Sequence, residues 1–277
     1  MRNLLRVVVM TILGSLVTVA GLAGTASAAA ASDSALEQAQ RHFYSGQYES
    51  AAALALDIRT ASGDHLAASE LRSSALHFQI RRAMGPATDR DKAWKACAAC
   101  PELMARFMAE TTLGRAAARK RLAANAADEE ALFFLGKLNL NYVWMQLATL
   151  GHKTGWGEYW EARKSLDAVL KMNPNHTRAQ VARAWIDYIV DTKLPRGTKW
   201  MLGGGNKKRG LLVVQQAATA DAAPLVQAEA MFALWDMQVR ERKVPEAVIT
   251  ARSLSLLFPD NRDLSRFLIA HDLQASR

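Results

Sequence analysis

Gly157-Glu158-Tyr159-Trp160-Glu161-Ala162, followed by Leu166, Val169 and Pro174, is the stretch on which the fold turns. Its apolar positions recur every three or four residues, which is the period of a helix with one buried face. Ala162 is small enough to let a partner helix approach closely. Tyr159 fills the wedge between two helices, and Gly157 permits a tight turn before them. Pro174 ends the helix, because proline lacks an amide hydrogen and clashes with the preceding turn.

The same frame recurs outward from this stretch. It returns upstream at Gly46, Tyr48 and Ala51, and downstream at Ala247, Ala251, Leu254 and Pro259. A weaker copy runs through Gly205, Gly210, Val214 and Ala217. Leu132, Leu135 and Gly136 suit the first helix of a pair, as do residues 228–239. Alternating strand-like runs are rare, and Ala, Leu, Arg, Lys, Glu and Gln dominate, all helix formers. Internal repetition of this kind is the mark of a stacked helical array.

On these residues the chain resembles the tetratricopeptide repeat family. The pairs beginning near Ala35, Glu129 and Pro224 match well and the pair from Thr177 matches in part. Residues 65–100 and 101–125 read as degenerate pairs, and 261–273 as a final capping helix. The resemblance implies an all-α fold of stacked antiparallel helix pairs, a right-handed superhelix whose concave groove holds a protein or peptide partner. Second helices end at Ala126, Pro174 and Ala222, 48 residues apart, whereas a standard repeat is about 34. Each middle pair therefore carries about 14 extra residues. They are expected as two long intra-repeat loops, near Trp144–Gly157 and Asp191–Gly204, emerging on one side of the stack.

The N-terminus reads as a secretory leader. Arg2 and Arg6 precede an uncharged apolar run from Val7 to Leu22, and Ala26-Ser27-Ala28 supplies small residues for cleavage. Retention of this segment as an anchor is the alternative. Cleavage after Ala28 leaves 29–34 as a linker and 35–277 as the repeat domain, in a periplasmic or secreted location. The chain carries +9, of which the leader supplies two, so the mature part is near +7. An exported basic chain points to acidic surfaces, anionic headgroups or anionic ligands rather than to nucleic acid.

Residues 192–220 contain no acid, and residues 193–209 hold six cations: Lys193, Arg196, Lys199, Lys207, Lys208 and Arg209. Gly203-Gly204-Gly205 leads directly into an expected helix, where free amides attract anions. The alternative is a solvated basic loop whose glycines only make a turn. No Gly-Lys-Ser/Thr follows at P-loop spacing. The Gly-Gly-Asn-Lys-Lys-Arg-Gly run is similar to that of the exported helical-repeat subunit that accompanies tripartite ATP-independent periplasmic transporters. This chain departs from that group in having no lipid-anchoring Cys near its leader.

Five of the seven tryptophans fall between Trp144 and Trp200. Trp156 and Trp200 either line a pocket with the nearby cations or pin the extra segments to the helices. Trp160 and Trp185 sit within helical patterns and read as core. Cys97 and Cys100 are the only cysteines. Their spacing is compatible with a local disulfide or two buried thiols, and a thiol-redox helper is the alternative function. The six histidines are scattered, and no His-Glu-x-x-His or Gly-x-Ser-x-Gly occurs. The expectation is thus a binding scaffold without cofactor, not an enzyme.

Overall fold

The structure, a computed structural model, describes residues 33–63, 65–193 and 202–275. Among them are twelve α-helices and no strand. Helix α1 covers 33–44. It is followed by α2 (Tyr48–Ser62), α3 (Leu66–Met84), the short α4 (Arg90–Ala96), and α5 (Cys100–Ala124). Next come α6 (Glu129–Trp144), α7 (Trp156–Met172), α8 (Thr177–Lys193) and α9 (Lys207–Thr219). The chain closes with α10 (Pro224–Arg240), α11 (Val244–Leu257) and α12 (Arg262–Ala275).

Helix ends follow local chemistry. Asp89, Asp128 and Asn206 cap α4, α6 and α9, each accepting a hydrogen bond from an amide three residues on. Pro101, Pro224 and Pro245 stand in first turns, where their missing N–H is harmless. Pro174 and Pro259 each lie two residues beyond the end of a helix. Gly46 turns α1 into α2 at φ +75°. The corresponding turn before α7 is made by Gly155, at φ +90°, and not by Gly157, which lies inside α7.

Two further expectations are corrected. Residues 65–125 do not form two degenerate pairs. They form two long helices, α3 and α5, with α4 between them. The extra residues after Trp144 are also not one long loop. Helix α6 runs on into a π-helical segment, Met145–Leu150, which leaves 151–155 as the irregular link. Its residues are helix formers with no breaker before Gly151, so the chain lengthens the helix. Most of the second extra segment, 194–201, lies outside the described residues.

Each helix packs on its successor, α2 on α3, α3 on α5, and so on to α12, while α3 also meets α6 and α8 meets α10. Close approach is paid for by small residues: Ala51, Ala162 and Ala247 are fully buried. A Cβ on Gly136 would stand 2.8 Å from Leu166 Cγ, and one on Gly114 2.8 Å from Leu138 Cδ1. Tyr48 and Tyr159 are buried in the positions the repeat frame assigns to them.

The two ends of the row of helices meet. The Tyr44 ring of α1 stacks on Phe232 of α10 with centroids 5.3 Å apart and planes 11° from parallel. It also packs against Phe258, and Asn261 Nδ2 donates to the Tyr44 carbonyl at 2.7 Å.

Candidate binding surfaces

The glycine-rich approach to α9 is held from two sides. Gly203 and Gly204 take left-handed conformations, φ +75° and +74°. A Cβ on Gly205 would stand 2.7 Å from the Asp191 amide nitrogen, and one on Gly210 2.7 Å from the Ala184 carbonyl. These two glycines let α9 lie directly on the backbone of α8. From the other side, Arg163 of α7 donates to the carbonyls of Leu202, Gly203 and Gly204, and the Tyr159 hydroxyl donates to that of Leu202.

The first turn of α9 finds its acceptors within the chain. Lys207 N donates to Asp191 Oδ2 at 2.9 Å, and Arg209 N donates to Asn206 Oδ1 at 2.9 Å. Two of the amides expected to await an anion are thus met by the chain's own oxygens. The Lys207 ammonium pairs with Glu241 at 2.6 Å, and this bond holds the Glu241 carboxyl below the usual carboxylate range. Lys208 and Arg209 are exposed and carry no ion pair among the described residues. Lys193 closes α8. Its side chain, together with Arg196, Lys199 and Trp200, falls outside the described side chains.

Trp156 opens α7 and is 41 % exposed. Trp160, read from sequence as core, is 43 % exposed, one turn further along the same face. The helical pattern places Tyr159, Ala162 and Leu166 inward, and this turns Trp160 outward. Trp144 and Trp185 do pack: they meet edge to face at 6.5 Å, and Trp185 also contacts Tyr188 and the Arg240 guanidinium. The contacts of Tyr159 and Arg163 with residues 202–204 tie α7, which carries the two exposed indoles, to the approach to α9, which carries the two exposed cations. Nearby acids are already committed: Glu158 to Arg115, Glu161 to Arg119, and Asp167 and Asp187 to Arg183.

Cys97 and Cys100 form a disulfide between the end of α4 and the start of α5, and Cys100 is fully buried. Helix α4, which has no buried residue, is held at its other end by Arg90, whose Nη1 donates to the Leu147 carbonyl. Between α4, α5 and the π-helical segment lies a cleft of about 340 Å³, lined by Arg90, Asp91, Trp94, Met104, Met108, Gln146, Leu150 and His152. Sequence reasoning missed this cleft. Its residues come from three separated segments, which no local pattern joins.

The inward faces of the first helices meet at the centre. Glu229 of α10 binds Lys137 of α6 and Arg178 of α8, both at 2.6 Å. Glu70 of α3 faces the same two cations at 3.7 and 3.8 Å. Burial alone would raise the Glu229 pKa, but Arg178 and Lys137 outweigh it and bring it down to about 2. Burial likewise works to lower Lys137, and Glu229 and Glu70 reverse the direction. Two positive and two negative groups thus neutralise one another where a concave groove was expected.

Among the described residues, no three or more His, Cys, Asp or Glu side chains are grouped to hold a metal ion, and no helix is long and apolar enough to cross a membrane. No protein-family model and no curated protein matches the chain.

Proposed function

We propose that the chain is an exported scaffold of the tetratricopeptide type that binds an acidic protein or peptide partner in the cell envelope, on its outer edge rather than in an inner groove. The observation that carries this reading is that α7 holds two exposed indoles, Trp156 and Trp160, and is joined through Arg163 and the carbonyls of Leu202, Gly203 and Gly204 to the start of α9, where Lys208 and Arg209 are exposed. Aromatic and guanidinium groups are the usual anchors of protein interfaces, and complementary charge directs the encounter. The order of the helices supports the repeat assignment. Helices α1/α2, α3/α5, α6/α7, α8/α9 and α10/α11 are the successive pairs, and α12 is the cap. The run from Gly204 to Gly210 keeps its resemblance to the transporter-associated group, for which the partner is another subunit of the transport system.

The thiol-redox alternative rests on Cys97 and Cys100. Their burial, and the disulfide that ties α4 down, favour a structural bond instead.

The test is site-specific photo-crosslinking in an envelope extract, with the photoreactive residue at position 160. A discrete acidic partner is expected. It is lost when Lys208→Glu and Arg209→Glu are combined, and kept when the photoreactive residue stands at 160 and Glu246→Ala is added at a distance. Crosslinks that persist through the double reversal would remove the basic edge from the reading.

A further inference from the structure

The cleft beneath α4 is lined by residues whose side chains carry the donor types of a soft metal site: two thioethers and an imidazole. We propose that Met104, Met108 and His152 bind a monovalent soft ion, Cu(I) or Ag(I), with the Trp94 ring as a wall of the site. Met104 and Met108 are one turn apart on α5, so both thioethers face the same way, and both are partly buried in the cleft. His152, exposed in the link between the π-helical segment and α7, lines the same cleft. Thioether sulfur selects Cu(I) over the commoner divalent ions, and imidazole completes such a set.

The histidine is held as a ligand should be. Its Nδ1 stands 3.2 Å from Gln146 Oε1. An amide oxygen only accepts, so Nδ1 is the donor in this contact, and in the neutral imidazole that leaves Nε2 with the lone pair. The His152 backbone amide donates to the Gln146 carbonyl at 2.8 Å, fixing the residue a second time. A metal-binding imidazole is commonly oriented in this way through its other nitrogen. The π-helical segment, Met145–Leu150, places Gln146 for this task, and π-helical turns often mark functional sites.

Charge and surroundings suit a monovalent ion. Arg90 and Asp91 both line the cleft and offset each other, and Arg90 is drawn toward the Leu147 carbonyl. A single carboxylate beside a guanidinium does not serve a divalent ion. The indole of Trp94 lines the cleft, and an aromatic ring attracts a nearby cation at modest energetic gain. The disulfide occupies both cysteines, so no thiolate competes for the metal.

The experiment uses the oxidised mature chain, shown by thiol titration to hold no free thiol. It is titrated with Ag(I), which needs no reductant, and with Cu(I) presented in competition with bathocuproine disulfonate. One equivalent is expected to bind, with quenching of indole fluorescence and a shift of two methionine ε-methyl resonances. Met104→Leu with Met108→Leu conserves volume and so keeps the fold, which thermal melting verifies. This pair should weaken binding at least a hundredfold. Gln146→Ala should weaken it about ten- to a hundredfold, through the orientation of His152. Trp94→Phe should remove most of the quenching while leaving the stoichiometry at one. Undiminished binding by the double leucine variant, tighter binding of Zn(II) than of Ag(I), or failure to compete for Cu(I) would each overturn the assignment.

Discussion

At the scale of single residues, the glycines separate into those that make turns and those that allow contact. Gly210 has no room for a methyl group, because the obstacle is the Ala184 carbonyl, a backbone atom that cannot swing aside. Gly210→Ala should lower stability by about 1–3 kcal/mol, the range for overpacking. Gly157 has open space and helical geometry, so Gly157→Ala should raise stability by about 0.5 kcal/mol. Urea midpoints of the two variants, moving in opposite directions, check both. His77 supplies a second prediction. It is enclosed by Phe78 and Phe107 and hydrogen-bonded to Thr149, and burial followed by the charge of Arg81 brings its pKa down to about 3. The folded state keeps His77 neutral while the unfolded chain protonates it near 6.5. Its share of stability is therefore intact above pH 6.5 and is lost as pH falls toward 3. The slope is up to about 1.4 kcal/mol per pH unit. His77→Gln should flatten the stability profile between pH 6.5 and 4, and an unchanged slope would refute the assignment. Tyr48, Tyr159 and the small alanines were legible in the sequence because their neighbours are close in the repeat frame. Gly157 and Trp160 were misjudged because a periodic pattern tells which side is apolar, not how much of a large ring that side covers.

At the scale of elements, what the sequence conveyed was the alternation of long helices and their stops. Pro174 and Pro259 end α7 and α11 through local sterics alone. What it could not convey was the shift from α-helix to π-helix at Met145, since the same side chains accept both geometries and tertiary packing selects one. The Met145 side chain is fully buried against the cluster around Cys100 and Phe107, which is where that selection is made. Helix α4 shows a similar limit: no residue of it is buried, so it has no strong apolar stripe to read. It is held by Arg90 at one end and by the disulfide at the other. Replacing Cys97 and Cys100 together by Ser should lower global stability by about 2 kcal/mol on the chain-entropy account of so short a loop. Far-UV circular dichroism should hardly change, because α3 and α5 pack without α4. Hydrogen exchange should report the difference first in residues 90–96. Protection loss spread evenly over α3 and α5 would show instead that the disulfide supports the whole helix pair.

At the scale of the whole molecule, closure of the row of helices rests on contacts between residues nearly the full chain apart. Tyr44 meets Phe232 and Phe258, and Asn261 reaches the Tyr44 carbonyl. No local pattern encodes such a pairing, and an open concave groove was the natural expectation from repeats alone. The central ion cluster adds a second, electrostatic link across α3, α6, α8 and α10. Glu229 is its pivot, since removing it leaves the partly buried Lys137 and Arg178 with Glu70 as their remaining acid, more than 3.5 Å away from each. Breaking a fully buried pair on one side typically destabilises by about 3–5 kcal/mol, and water reaches part of Lys137 and Arg178, so Glu229→Ala should cost about 2–3 kcal/mol. Because the Glu229 pKa is depressed to about 2 from 4.5, its contribution is complete above pH 4.5 and disappears as pH falls toward 2. Tyr44→Ala combined with Phe232→Ala acts on the apolar link and keeps all four charges of the cluster, although Tyr44 lies close enough to feel Glu229, Arg178 and Glu70. If the two links hold the ends together jointly, either change alone should keep the radius of gyration in small-angle scattering, and the combination with Glu229→Ala should increase it before the helices melt. A radius that grows with the aromatic variant alone would assign closure to the Tyr44 contact, and leave the ion cluster the narrower task of neutralising charges that the packed helices have already buried.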